Sequence, residues 1–338
     1  MRMMETTVAV ELVAPGGIEA FLDELNAALA KRGVALEDAG RVLTSEPGRV
    51  LIEWRAADWS PDDVTEVEIR ADGERIRIEH RGFGRQFWGD EDLVGWFADE
   101  VAAAFVAAST PRQFGDWLTD RAARRPFGIR ARRDYKDPGH HRPSFGAVLS
   151  ALHLTPDDVL LDIGCGGGAF LEQALESGCR AVGLDHSPEM VRAARDLNAD
   201  AVSEGRLEVV EGSAEALPFD AETFTCAATM QVFFFLGDPG AALEESARVL
   251  RPGGRLAVFT ISERARGTPA APEPMASRCH FYTDQELVKL ARESGFELAS
   301  VSHPDLEPHA RAAGLPDDIV ALFRGHPAGG QLLLARKA

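Results

Sequence analysis

Two carboxylates in this sequence each end a short apolar run, and that is where its chemistry concentrates. Val159-Leu160-Leu161-Asp162-Ile163 leads into Gly164-Cys165-Gly166-Gly167-Gly168-Ala169-Phe170, and Ala181-Val182-Gly183-Leu184 ends in Asp185. Such runs read as buried parallel strands. Glycines are needed where the backbone turns sharply and a ligand must approach without a Cβ in the way. Asp185 follows the glycine turn by about 20 residues, the spacing at which a carboxylate accepts from both hydroxyls of a ribose. Gly164, Gly166 and Ala169 also satisfy the loose G-x-G-x-x-A pattern of dinucleotide binding, so a nicotinamide-dependent oxidoreductase has to be weighed. Asp162 argues against it. A carboxylate just before the first glycine repels a pyrophosphate and suits a ligand that carries a cationic amine and no phosphate.

Two later segments add to this. Glu211-Gly212-Ser213-Ala214-Glu215-Ala216-Leu217-Pro218-Phe219 follows the strand-like Leu207-Glu208-Val209-Val210, and Arg248-Val249-Leu250-Arg251-Pro252-Gly253-Gly254 ends a helix and enters a strand from Leu256 to Ile261. Together, in this order and spacing, the four motifs closely resemble class I S-adenosylmethionine-dependent methyltransferases, in particular the small-molecule branch with an Ala-Glu-x-Leu-Pro-Phe motif. The resemblance covers roughly residues 130–338. It implies an α/β fold with a Rossmann-like, seven-stranded, mostly parallel sheet whose last strand, Gln331 to Arg336, is antiparallel. It implies S-adenosyl-L-methionine as cofactor and no metal.

Carried over position by position, Gly164, Cys165, Gly166 and Gly168 would form the loop under the cofactor's methionine part and ribose. Asp162 would hold that loop and the amino group, and Asp185 the ribose hydroxyls. His186 would stack on the adenine, and Ser213 and Ala214 would face its edge. Ser213 departs from the family pattern, in which an Asp commonly accepts from the adenine amino group. Thr229, Met230 and Gln231 would end the fourth strand beside the sulfonium. Methyl transfer is an in-line displacement that needs alignment and, for some acceptors, a base. Tyr135, His140 and His141 are the candidate bases, with Arg142 as a carboxylate clamp. Phe233, Phe234 and Phe235 would wall an apolar substrate, and the insert between Ile261 and Thr283 would be a lid whose Arg278 and Tyr282 face it.

These residues must be positioned by a larger frame. The chain has 338 residues, enough for two domains at roughly 100–200 residues each. All five tryptophans fall in roughly the first third, up to Trp117, whereas glycine turns dominate the rest. The front part reads as α+β: a strand at Val8–Leu12, a helix from Gly17 to Lys31, strands at Val50–Trp54, Val64–Ile69 and Arg75–His80, and a long helix over Glu91–Ala107. The Glu53-Trp54 strand end, the Thr65-Glu66-Val67-Glu68 and Glu79-His80-Arg81-Gly82 strands, and Trp96-Phe97 resemble the helix-grip fold of the START-like (SRPBCC) superfamily. That fold often holds an apolar ligand, and here Trp88, Trp96 and Phe97 would line the cavity or simply fill the core. The expected division is a START-like domain at 1–120, a basic linker and cofactor-covering segment at 121–143, and a methyltransferase domain at 144–338.

A net charge of −18 disfavours duplex nucleic acid, which selects basic faces. The composition, 45% hydrophobic and 27% charged, is ordinary for a globular protein. The four cysteines show no metal-ligand spacing. No apolar run reaches the ~18 residues of a membrane span and no signal-peptide pattern is present, so the expected location is the cytoplasm. The expected activity is methyl transfer to a small, apolar or aromatic metabolite. The rival is a ligand-sensing or client-binding protein with a regulatory or inactive cofactor domain.

Overall fold

Alternating apolar residues build the front sheet. In the computed structural model, β1 (Val8–Val13), β2 (Gly40–Glu46), β3 (Arg49–Trp54), β4 (Thr65–Asp72) and β5 (Arg75–Arg81) pair antiparallel in the order β1-β5-β4-β3-β2. Val50, Ile52, Val67, Ile69, Ile76 and Ile78 are buried on one face, where Phe21 and Leu25 of α1 (Gly17–Ala30) are buried as well. The other face carries cross-strand ion pairs, including Arg81 to Glu66 at 3.1 Å. Glu68 lies between Arg49, Arg70 and Arg81, and this surround leaves its side chain with no exposure. The expected hairpin is β4–β5, but β2 was not expected. Its residues Gly-Arg-Val-Leu-Thr-Ser-Glu lack alternation, and those from Arg41 onward are exposed.

The described residues are 8–30, 40–54, 65–81, 139–268, 271, 275–323 and 330–338. The helix expected at 91–107, the side chains of all five tryptophans, the basic stretch from Arg121 to Lys136 and Tyr135 lie outside them. Contacts within the chain divide it into two units, Met1–Arg121 and Ala122–Ala338.

The second unit is the expected seven-stranded mixed sheet. Its strands are β6 (Val159–Ile163), β7 (Arg180–Asp185), β8 (Leu207–Glu211), β9 (Phe224–Met230), β10 (Leu250–Ile261), β11 (Phe296–Ser302) and β12 (Gly330–Lys337). They lie in the order β11-β12-β10-β9-β6-β7-β8, and β12 runs antiparallel to both its neighbours. On one face Val148, Leu152, Phe170, Leu171, Val191 and Ala194 bury the helices α2 (Arg142–Leu152), α3 (Ala169–Leu175) and α4 (Pro188–Leu197); the short α5 (Ala199–Ser203) follows. On the other, Leu243, Ala247, Leu287 and Ala291 bury α6 (Pro239–Val249) and α8 (Asp284–Glu293). Between β10 and α8 lies the insert with α7 (Met275–Arg278), and α9 (Glu307–Ala312) and α10 (Asp317–Phe323) precede β12. Pro252-Gly253-Gly254 is a bulge within β10, where the register with β9 shifts between Leu250 and Arg255, rather than a turn ahead of the strand.

Asp158, ahead of β6, ties the other end of the sheet. It accepts from Thr155 N at 2.9 Å, from Thr225 Oγ1 at 2.7 Å and from Arg255, and these donors hold its carboxyl below the usual range despite burial.

His80 makes the front unit sensitive to acid. It is fully buried, with Nε2 2.6 Å from Thr65 Oγ1, and burial pushes its pKa down to about 3. The folded ring therefore stays neutral while the unfolded one takes up a proton below about pH 6.5. Stability from this group is present above pH 6.5 and is lost as pH falls towards 3, by up to about 1.4 kcal/mol per pH unit. Denaturant titrations at pH 7, 6 and 5 should show this slope in the wild type and a flatter one in His80→Gln.

Candidate functional site

The strand order reverses between β6 and β9, and in open α/β sheets ligands bind at the carboxyl ends of strands beside such a switch point. The glycine turn starts there. Gly164 (φ 75°), Gly166 (φ 53°) and Gly168 (φ 85°) all have left-handed backbone, which a side chain opposes. Two of them are also places of close approach. A Cβ on Gly164 would fall 2.4 Å from Val232 Cγ2, and one on Gly168 would fall 2.6 Å from Asn198 Nδ2. Gly164 and Cys165 donate to Leu184 O at 2.7 and 3.0 Å, so the turn is laced to β7.

Asp185 completes the lacing. Its Oδ2 accepts from Gly166 N and its Oδ1 from Ser187 N, both at 2.9 Å. Ser187 in turn caps α4, its hydroxyl accepting from Met190 N at 3.4 Å, with Pro188 at the first position of the helix as its sequence suggests. A carboxylate has about four lone-pair sites, so acceptor capacity remains for a ligand's hydroxyls. His186 is half exposed, with Nδ1 3.7 Å from Asp185 Oδ1.

Asp162, expected to hold the glycine turn, does not; Asp185 and Leu184 O hold it. Asp162 is 1% exposed, and neither carboxyl oxygen has a hydrogen-bond partner. Burial, and secondarily the charge of Asp185, push its pKa up to about 8. Burial raises Asp185 too, but the N–H groups of Ser187 and Gly166 oppose the rise. Asp162, which has no donors, therefore holds a proton more tightly than Asp185, which has them. A buried acid with no partner is costly unless a ligand supplies the missing donors. A cationic amine would do so, and the left-handed glycines leave the backbone open to it.

The other expected residues are distributed around this centre. Ser213 Oγ accepts from Glu215 N at 3.2 Å in a tight turn that also carries Ala214. Thr229 is 5% exposed and its Oγ1 has no partner; Met230 is buried in the core. Gln231 takes a left-handed backbone (φ 61°) and donates its N–H to Phe259 O at 2.8 Å. Phe233 and Phe234 are buried. Phe233 packs on Tyr282 at 5.1 Å between ring centres, Phe234 on Phe281 at 5.5 Å, and Phe235 on Phe234 at 4.3 Å. Burial pushes Tyr282 up to about 12. Arg278 is half-buried and donates to Ser277 Oγ at 3.0 Å. His141 ends a 3-10 turn and caps α2 without a side-chain capping bond, and Arg142 lies 3.8 Å from Glu172. The His140 side chain, like Tyr135, is outside the described residues. Asn198 was not expected: its Nδ2 donates to Gly168 O at 3.2 Å and Ala194 O at 3.0 Å, holding the turn to α4. No local pattern marks it, because its partner lies 30 residues away.

A groove of about 590 Å³ is lined by none of these residues but by Asp284, Gln285, Val288, Lys289, Arg292, Glu293 and Val301. Among the described residues no His, Cys, Asp or Glu group could hold a metal, and no helix is long and apolar enough to cross a membrane.

The chain is similar to known proteins. Residues 161–258 match the family of methyltransferase domains. An O-methyltransferase of ubiquinone biosynthesis from Xanthomonas euvesicatoria pv. vesicatoria (strain 85-10) is 31% identical over 173 residues, which span 46% of this chain and 70% of that protein. The chain belongs to the class I S-adenosylmethionine-dependent methyltransferases. A 37.1 kDa protein of transposon TN4556 from Streptomyces fradiae is 39% identical over 168 residues; the match spans 46% of this chain and about half, 48%, of the transposon protein. A chain of the solved Haloferax volcanii complex between the Trm112 methyltransferase activator and a methyltransferase shares the fold. It has a TM-score of 0.50 and 24% identity, over 61% of this chain and 93% of its own.

The Asp162 carboxyl gives the site a pH signature. Because the folded state holds this proton up to about pH 8 and the unfolded state releases it near 3.8, ligand-free stability from this group falls as pH rises across that window. Asp162→Asn should flatten the fall, so that thermal melts at pH 8 show the variant to be the more stable. The same variant should bind S-adenosylhomocysteine at least about tenfold more weakly by calorimetry.

Proposed function

We propose that this methyltransferase moves the methyl group of S-adenosylmethionine to an oxygen of a small, apolar or aromatic metabolite. The observation that carries the reading is the partnerless, buried Asp162 next to a glycine turn that Asp185 holds at Gly166. Asp162 would take the cofactor's amino group, Asp185 the ribose hydroxyls, Ser213 and Ala214 the adenine edge, and His186 an adenine face. When bound, the cofactor supplies an electrophilic methyl on a sulfonium. The chain's part is to align it, with Thr229, Met230 and Gln231 at the end of β9, and to exclude water with the phenylalanine turn and the insert. An oxygen acceptor is favoured by the O-methyltransferase likeness.

In this reading residues 1–120 are a helix-grip domain that recruits or shields an apolar substrate, 121–143 a basic linker, and 144–338 the catalytic domain. The α1 helix on an antiparallel sheet supports the first of these. His140, His141 and Tyr135 remain the candidate bases, and Phe235 and Arg278 the candidate substrate contacts. One observation favours the rival reading, a ligand-sensing protein with an inert cofactor domain: Phe233 packs against Tyr282 and Phe234 against Phe281, all four of them buried.

Incubation with S-adenosylmethionine and a panel of phenols and catechols, followed by mass spectrometry, separates the two. The proposal expects at least one methylated product; tight S-adenosylhomocysteine binding with no product from any acceptor would favour the rival. Asp185→Ala should weaken S-adenosylhomocysteine by about 1.5–3 kcal/mol in calorimetry, through lost charged hydrogen bonds. Unchanged affinity in a folded variant would remove Asp185 from the ribose. Binding to the wild type should also tighten from pH 6 to pH 8, by at most about tenfold per unit, because the amine must displace the Asp162 proton. Calorimetry in buffers of different ionisation enthalpy would detect that proton, and a pH-independent affinity would exclude it.

A further inference from the structure

The Ala-Glu-x-Leu-Pro-Phe run has two parts that packing explains: Leu217 is buried, and Phe219 meets Phe224 edge-on at 5.1 Å. Glu215 is a half-buried charged side chain that apolar packing does not explain. It stands at the tip of the turn in which Ser213 pairs with Ala216. From there its Oε1 reaches across the chain and accepts from Gly237 N at 2.9 Å and Asp238 N at 2.8 Å. Two N–H donors on one ionised oxygen make a strong and directional contact. These donors end the segment that begins at Val232 and carries the three phenylalanines into α6. The start of the same segment rests on the glycine turn, since Val232 fills the space where Gly164 lacks a Cβ. Residues 232–238 are therefore held at one end by the loop assigned to the methionine part and ribose, and at the other by the loop assigned to adenine.

We infer that Glu215 is a positioning residue that couples occupancy of the cofactor site to the order of the Val232–Asp238 segment, the wall on which an acceptor would rest. The inference depends on the S-adenosylmethionine reading of the site. Cofactor contacts at Ser213–Ala214 stiffen the turn that presents the carboxylate. The carboxylate then holds the two N–H groups in place, so the wall is firmest when a methyl donor is bound. Glu215 touches no reacting atom in this account, and its effect travels only through the segment it holds.

Hydrogen-exchange mass spectrometry on the full-length protein tests this, with and without saturating S-adenosylhomocysteine. In the wild type the ligand should slow exchange across 232–238 by about tenfold or more, and in Glu215→Ala by less than about twofold. Glu215→Gln keeps a carbonyl oxygen at the same place and should recover an intermediate protection. Calorimetry should find the affinity of Glu215→Ala within about threefold of the wild type, because the residue serves the segment rather than the ligand. The inference is overturned if the ligand binds the wild type without slowing exchange there, or if Glu215→Ala keeps the full protection. A tenfold or greater loss of affinity in Glu215→Ala, on the order of 1.4 kcal/mol, would also overturn it by making Glu215 part of the cofactor site itself. Failure of the wild type to bind S-adenosylhomocysteine is a different result, seen directly in the calorimeter, and would overturn the cofactor reading and this coupling together.

Discussion

The backbone N–H of Gly166 meets the Asp185 carboxylate at 2.9 Å, and much of the second unit is arranged around that contact. It joins the turn after β6 to the end of β7, and through the N–H of Ser187 it reaches the start of α4. The left-handed glycine turn is held in one conformation by its partners. Asp185 holds it at Gly166, Leu184 O at Gly164, and Asn198 at Gly168. Asp185 thus has a structural part to play before any ligand arrives, with lone pairs left over for one. That double use explains why a carboxylate stands there rather than a neutral acceptor: a charged oxygen makes stronger bonds to N–H groups and still has capacity to spare.

Asp162, on the neighbouring strand β6, has the opposite character. The fold supplies donors to one acid and none to the other, and the difference separates their protonation. A buried carboxyl without a partner weakens the ligand-free fold, and such local conflicts tend to be kept where binding resolves them. The two acids form a matched pair. One keeps its charge and shapes the loop, and the other holds a proton that a cationic group can displace.

Around this pair the structure is tied by contacts distant in sequence. Glu245 accepts from Leu217 N at 2.8 Å, and Arg248 donates to Phe219 O at 2.7 Å, which fastens the run after β8 to α6. Glu215 fastens the same run to the loop ahead of α6. The insert after β10 has its own small core of Phe234, Ile261, Ala265, Ala271, Cys279 and Phe281. Its burial explains why the phenylalanine turn, which reads as a substrate wall, also serves as packing.

The sequence by itself determined the central strands, the acids at their ends, the glycine turn and the Ser187-Pro188 helix start. These rest on local physics: an apolar run buried from both sides, a left-handed backbone that favours glycine, and a hydroxyl within reach of the next turn's N–H. Strand β12 was legible for the same reason, as an apolar run of Leu332, Leu333 and Leu334. Strand β2 was not, because an exposed edge needs no alternation, and the bulge at Pro252–Gly254 was not, because it depends on register with β9. The tertiary structure alone decided that Asp185 holds Gly166, that Asp162 has no partner, that Asn198 and Glu215 are anchors, and that Gln231 takes a left-handed turn. Each of these depends on a group brought near by folding from 19 or more residues away, or on the absence of one, and no local pattern records either.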